Sequence, residues 1–152
     1  MNTSESPKHR IETSVVAAAP IDVVWARVAD ITTWSEWGEW DETTRDTEGV
    51  PAPDGVGTVR RLRRGKRTNV EEVVAFEPPV RFAYALRSGL PLRDYHSEIT
   101  LEPVGGGTRL RWVSTFDGEN PVAGFAVNAV LHRFLPRTAR ALAAVAEADA
   151  SQ

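Results

Sequence analysis

The side chains of this sequence best suited to chemistry fall mostly between Gly57 and Phe116. Arg60 and Glu71 lead them: a guanidinium whose planar fork binds a carbonyl, enolate or carboxylate, and a carboxylate able to orient it. Tyr84, Tyr95, Ser97 and Ser114 add hydroxyls suited to an oxygenated ligand. In an aldol-type cyclisation Arg60, the best catalytic candidate, would steady developing enolate charge while a tyrosine or a water moved protons. Each of these residues also has a plain structural reading, Arg60 and Glu71 as an ion pair stitching two strands and the hydroxyls as core groups bonded to backbone. Other chemistries lack their residues. With no cysteine in the sequence, disulfides, thiol nucleophiles and Cys-ligated zinc are excluded. His9, His96 and His132 are scattered without close carboxylates, so no metal site is expected. No Gly-x-Ser-x-Gly occurs, and Gly55-Val56-Gly57 is no dinucleotide fingerprint because Arg holds position 60 and a strand comes next. No cofactor is expected.

An antiparallel meander must position these groups. A two-residue turn at Gly65-Lys66 sets Arg60 opposite Glu71 and Leu62 opposite Asn69. A turn on Pro78-Pro79 sets Ala75 against Phe82, Val73 against Tyr84 and Glu71 against Leu86. A third turn of undefined length lies in Ser88-Gly89-Leu90-Pro91-Leu92. The glycines at 105 to 107 then bring Leu101, Ile99, Ser97 and Tyr95 opposite Leu110, Trp112, Ser114 and Phe116. Paired residues share a face, so all of these line one side of the sheet, with Val59, Val70, Val74 and Phe76 on the other. That inner side mixes Arg60, Asn69, Glu71, tyrosines and serines among aromatic rings. Sealed dry, its charges would each cost several kcal/mol. A wet or ligand-filled cavity relieves that cost.

The rest of the chain supplies the walls. Residues 1–10 read as a polar tail and 11–17 as a first strand. Pro20 opens a helix whose apolar face is Ile21, Val24, Trp25 and Val28, and Asp30 is placed to cap the next turn. Trp34, Trp37 and Trp40 come next at three-residue intervals on a short helix or turn; they either plug the open end of the curved sheet as core or ring a ligand entrance, Trp37 the more core-like and Trp34 and Trp40 the more rim-like. Residues 42–48 read as an edge strand. Asn120 and Pro121 start an alanine-rich helix running to Ala148, with Phe125, Val127, Val130, Leu131, Phe134, Leu142 and Val145 on its apolar side and a kink expected at Pro136. A helix this long needs a partner surface, and the concave inner face is the one available. The predicted class is α+β, a curved seven-stranded antiparallel sheet around a long C-terminal helix, with two short helices after strand 1.

This order of elements resembles the START-like or Bet v 1-like (SRPBCC) helix-grip superfamily, especially its bacterial polyketide cyclase/dehydrase and lipid-transport branch. The carrying residues are the run from Ala19 to Trp25, Asp30 with Trp34 and Trp37, Gly57 with Arg60, Glu71 before Pro78-Pro79, and Gly107 to Trp112. The resemblance spans residues 11–148 as one START-like ligand-binding domain. It implies a deep cavity between sheet and helix that holds a hydrophobic ligand, polyketide-like or lipid-like. Arg60 and Glu71 match an Arg and a Glu that members often carry on adjacent central strands. Some relatives cyclise and aromatise poly-β-ketone chains; others only bind lipids, hormones or pigments. The ligand-binding set expected here is Trp34, Trp40, Arg60, Glu71, Tyr84, Tyr95, Ser97, Trp112, Ser114 and Phe134.

Composition bounds the partners. A chain of 152 residues, 41% apolar and 26% charged, fits one soluble globular domain. A net charge of −3 argues against a general nucleic-acid binder. The polar opening lacks an apolar export core and no stretch is long enough to span a bilayer, so a cytoplasmic location is expected, which also strips the Asn2-Thr3-Ser4 sequon of meaning. Residues 60–67 hold six basic side chains in eight positions, a solvated hairpin tip or a dock for an acidic partner such as an acyl carrier protein or an anionic membrane. Three functional readings stay open: a small-molecule binder of polyketide cyclase/aromatase type, a non-catalytic carrier or sequestering protein, and a protein-interaction module of the chaperone-regulator or toxin-partner kind.

Overall fold

The computed structural model describes residues 7–152. The first six residues of the expected tail, with the Asn2-Thr3-Ser4 sequon, lie outside them. The elements are β1 (His9–Ala17), α1 (Ile21–Ala29), α2 (Trp34–Trp37), β2 (Glu42–Thr47), β3 (Val59–Arg64), β4 (Arg67–Glu77), β5 (Arg81–Ser88), β6 (Leu92–Val104), β7 (Gly107–Gly118) and α3 (Pro121–Ala150). The strands form one seven-stranded antiparallel sheet in the order β1-β7-β6-β5-β4-β3-β2, gripping α3. This is the predicted helix-grip α+β architecture.

Turn chemistry sets the register. Gly65 takes φ 62° in the two-residue turn, and Arg60 pairs with Glu71 and Leu62 with Asn69, as expected. On β6 and β7, Ser97 pairs with Ser114, Ile99 with Trp112 and Leu101 with Leu110. Two bulges shift the expected pattern. One between Val73 and Ala75 changes the predicted Ala75–Phe82 pair to Ala75–Ala83 and Phe76–Phe82. An extra residue flips the residues after it to the other face, so Phe76 packs inward on Trp25 and Phe82 and not outward. The other lies between Arg93 and His96, where Asp94 takes φ 54°. It breaks the Tyr95–Phe116 pairing while leaving their rings stacked, centroids 6.0 Å apart.

Local signals set the helices. Asp30 accepts from the Thr32 amide at 3.0 Å, and Asn120 caps α3 by accepting from the Ala123 amide at 2.9 Å. Pro136 sits inside α3, which continues to Ala150; its ring denies the His132 carbonyl the usual donor four residues on. α3 packs on β1 and β7 and against α1, burying Leu131, Leu135, Ala139, Leu142, Ala143 and Ala146. A fully buried leucine contributes about 1.5–3 kcal/mol, so this stripe anchors the helix. Phe125 and Val130, expected on that side, are instead 75% and 60% exposed. Gly124, Leu131 and Leu135 take the contact line, which turns those two residues outward. β1 also begins two residues before the expected boundary, because the His9 ring stacks on Phe116 at 5.1 Å and ties the chain to the sheet.

Candidate functional site

A cavity of about 420 Å³ lies where the inner faces of β3, β4 and β5 curve away from α3. That volume falls in the range of small-molecule sites, roughly 300–1,000 Å³. Glu71, Tyr84, Tyr95 and Trp112 form its deep wall, and Leu62, Leu131 and Leu135 its apolar sides. Arg64, Arg67, Leu90, Trp40, Phe134 and Val130 surround the mouth. The β5–β6 turn of undefined length thus ends with Leu90 on the cavity, held by Gly89 at φ 117°.

Behind the deep wall stands Arg60, with no solvent exposure. Its Nε donates to Glu71 Oε1 at 3.0 Å, and its Nη2 lies 2.9 Å from the same oxygen without hydrogen-bond alignment. The guanidinium carbon stacks 4.1 Å from the Trp34 ring centre and 4.4 Å from that of Tyr84. Cation–π contact of this kind contributes about 0.5–2 kcal/mol each, which offsets part of the burial cost of the charge. Burial pushes the Glu71 carboxyl above its ordinary value, against the opposing attraction and hydrogen bond of Arg60. Glu71, not Arg60, is therefore the ionisable group of the pair that a guest can touch.

Hydroxyls complete the deep wall. Trp112 Nε1 donates to Ser97 Oγ at 2.8 Å, Ser97 and Ser114 are 2.8 Å apart, and Ser114 and Tyr95 make a longer 3.4 Å contact. An indole N–H only donates. If Ser97 accepts from it and no buried hydrogen is to be wasted, Ser97 donates to Ser114 and Ser114 to Tyr95. The Tyr95 hydrogen is then left for the cavity or for the Tyr84 hydroxyl beside it. Burial, with the nearby Glu71 charge, pushes the Tyr95 phenol up to about 12. Burial raises Tyr84 as well, with Tyr95 and the Glu71 carboxylate pushing the same way. Both stay neutral hydrogen-bond donors near neutral pH, so the floor is rich in donors and favours carbonyl oxygens.

Of the expected set, Trp40, Glu71, Tyr84, Tyr95, Trp112 and Phe134 line the cavity, while Trp34, Arg60, Ser97 and Ser114 stand behind it. Trp34 reverses its expected rim position. Its ring is fully buried against Trp112 at 5.7 Å and Tyr84 at 6.1 Å, and its Nε1 donates to the Val28 carbonyl at 3.1 Å. Trp37, expected in the core, is half-buried. The helix ends at Trp37, and the Trp40 ring folds back over Gly38, where a Cβ would lie 2.2 Å from it. Trp40 thereby reaches Phe134, 5.8 Å away. Leu62, Arg64, Arg67, Asn69, Leu90, Val130, Leu131 and Leu135 line the cavity without having been in that set. Strand alternation from Asn69 and Glu71 already points to Arg67, and helical spacing from Leu131 to Leu135. The basic run is largely neutralised: Arg60 pairs with Glu71, Arg61 with Asp46, Arg63 with Asp41 and Arg64 with Glu39. Among the described residues, Lys66 and Arg67 alone in that run lack a carboxylate in ion-pair range.

The sequence profile of the polyketide cyclase / dehydrase and lipid transport family matches residues 8–147. No curated protein matches the chain. Among solved structures, the Zhui aromatase/cyclase from a Streptomyces species superposes with a TM-score of 0.79 at 20% identity, covering 91% of this chain and 93% of its own. A START superfamily protein from Mycobacterium smegmatis gives 0.74 at 19% identity, covering 95% and 98%. At these identities the likeness is one of fold.

Proposed function

The chain belongs to the polyketide cyclase / dehydrase and lipid transport family, and from that premise we propose that it binds a hydrophobic, carbonyl-bearing small molecule in the cavity under α3, as a cytoplasmic protein. The observation that carries this reading is the donor-rich floor. Tyr84 and Tyr95 supply donors beside the Glu71 carboxylate at the end of a pocket whose sides are mainly leucine and aromatic rings, with Asn69, Arg64 and Arg67 toward the mouth. A few convergent polar groups in an apolar pocket orient a guest, while the apolar walls supply most of its affinity. Among the described residues, no helix is long and apolar enough to cross a membrane.

A second reading, cyclase-type turnover, is favoured by the hydroxyl chain that ends at Tyr95. Enolisation of a bound ketone needs a proton acceptor and a donor to the oxygen. Glu71, ionised, would accept a proton from the carbon beside the carbonyl while Tyr95 or Tyr84 hydrogen-bonds the oxygen. Arg60 is a positioning residue in this scheme, holding the Glu71 carboxylate.

Denaturing mass spectrometry of natively purified protein tests the binding reading, with Leu131→Trp as the filled-cavity control. A small molecule carried by the wild type and lost in a variant of unchanged circular dichroism is the expected result. No passenger, together with no tryptophan quenching across lipid and polyphenol panels, would overturn it.

A further inference from the structure

One wall of the cavity is not like the others. Arg67, Asn69 and Glu71 alternate along β4 and all line the cavity, Arg67 exposed at the mouth and Glu71 buried at the floor. Two residues along a strand advance about 6.6 Å, so this polar row runs about 13 Å from opening to end. Beside it on β3 stands Leu62, and α3 brings Leu131, Phe134 and Leu135 to the cavity. Two features of the row stand without partners among the described residues. Asn69 Oδ1 is buried with no hydrogen bond, although buried acceptors are normally satisfied. Arg67 has no carboxylate, whereas its neighbour across the turn, Arg64, is held by Glu39.

From this row we propose that the ligand is an amphiphilic acid. Its apolar body lies against α3, its hydrogen-bonding substituents face β4, and its anionic group sits at the mouth on Arg67. This rests on the cavity reading above and adds a direction to it: the carbonyl end goes in first and the charge stays at the opening. Orientation comes from the charges. Glu71 at the floor repels an anion, and Arg67 at the mouth attracts one. Asn69, between them, turns its Oδ1 against Gly89 and leaves its amide N–H to donate to a hydroxyl oxygen on the guest.

Three tricyclic probes test it by quenching of Trp40 and Trp112. They are 1,8-dihydroxyanthraquinone, the same ring bearing a 3-carboxylate, and anthraquinone-2-carboxylate, which lacks the hydroxyls. The dihydroxy acid should bind about tenfold tighter than its neutral parent. Arg67→Gln should abolish that advantage and leave the neutral probe unchanged. Lys66→Gln, which removes an equal charge one residue away on the exposed turn, should leave the advantage intact. Asn69→Leu should weaken the two hydroxylated probes and spare the third. Equal affinity for the acid and its parent, or equal effects of the Arg67 and Lys66 variants, would overturn the proposal while leaving the cavity reading in place. Failure of all three probes to bind would overturn the proposal, and the cavity reading falls with it only if the natively purified protein also carries no passenger and the lipid and polyphenol panels give no quenching.

Discussion

Removing one partner of the Arg60–Glu71 pair is expected to destabilise the fold more than removing both. Arg60 is wholly buried, and a guanidinium does not shed its proton in a protein. In Glu71→Leu the cation loses the carboxylate that its Nε meets at 3.0 Å. Breaking a buried pair in this way costs about 3–5 kcal/mol. Stacking on Trp34 and Tyr84 survives, so the cation is not left bare and the expected loss sits at the lower end of that range, about 3 kcal/mol. Arg60→Met leaves the opposite orphan, and Glu71 can escape by taking up a proton, so the loss near pH 5 should be only about 1–2 kcal/mol. It should then grow with pH. Glu71 already titrates above its ordinary value in the fold, with Arg60 opposing the shift. Without Arg60 the folded value rises further. The folded protein then holds a proton that the unfolded chain releases, and stability falls as pH climbs from the unfolded value toward the folded one. The double variant carries no buried charge at the site and should be more stable than Glu71→Leu alone, with a coupling of about 1.5 kcal/mol or more. Urea unfolding monitored by tryptophan fluorescence at about pH 5 and about pH 8 measures all four proteins. Additivity within about 0.5 kcal/mol, or a pH slope in Arg60→Met no steeper than in the wild type, would refute the reasoning.

Three further outcomes are expected. Trp34→Ala should cost about 3–5 kcal/mol in urea unfolding, because it empties a fully buried site and orphans the Val28 carbonyl, whereas a rim tryptophan would cost little. Gly89→Ala should lower stability by about 1–3 kcal/mol, since φ is 117° and a Cβ would lie 2.5 Å from the Thr68 carbonyl; thermal unfolding reads this. Tyr95→Phe should weaken a carbonyl-bearing ligand by about threefold to tenfold in fluorescence titration, the value of one hydrogen bond, and unchanged affinity would mean that the phenol does not donate into the cavity.

The range of the forces involved decides which features were legible in the sequence. The Arg60–Glu71 pairing was legible because a two-residue turn counts register outward without a free parameter, and the bulge at Val74 lies beyond it. Phe76 was not, since a bulge is a compromise among packing neighbours and Val73-Val74-Ala75 carries no glycine or proline to announce it. The tryptophans fail for a related reason. Three-residue spacing predicts one face only while the helix lasts, and α2 ends at Trp37, so the position of Trp40 is set by Gly38 and the position of Trp34 by a cation from β3. Periodicity also misjudged α3 at Phe125 and Val130. An apolar residue reads the same whether a sheet or open space faces it, and the close approach at Gly124 decides the contact line.

The cavity itself arises from a mismatch of widths. Seven strands at about 4.8 Å spacing make a sheet about 29 Å across, whereas one helix with its side chains is about 10–12 Å wide. Curvature narrows the gap without closing it. α3 settles on β1 and β7 and buries Leu142 and Ala146, and the inner faces of β3, β4 and β5 are left for something else to cover. Trp34 covers one part by stacking on Trp112, Tyr84 and the Arg60 guanidinium. That plug explains why the site's largest charge lies behind the wall: a sealed cation with aromatic faces and a carboxylate is tolerable where a bare one is not. The remaining space is bounded on one side by Asn69 and Glu71, side chains that a collapsed apolar core would have to desolvate with few partners. Had leucines stood at those positions, Leu62 and Leu131 could close on them and fill the gap. The polar row on β4 keeps the space open to solvent or a guest.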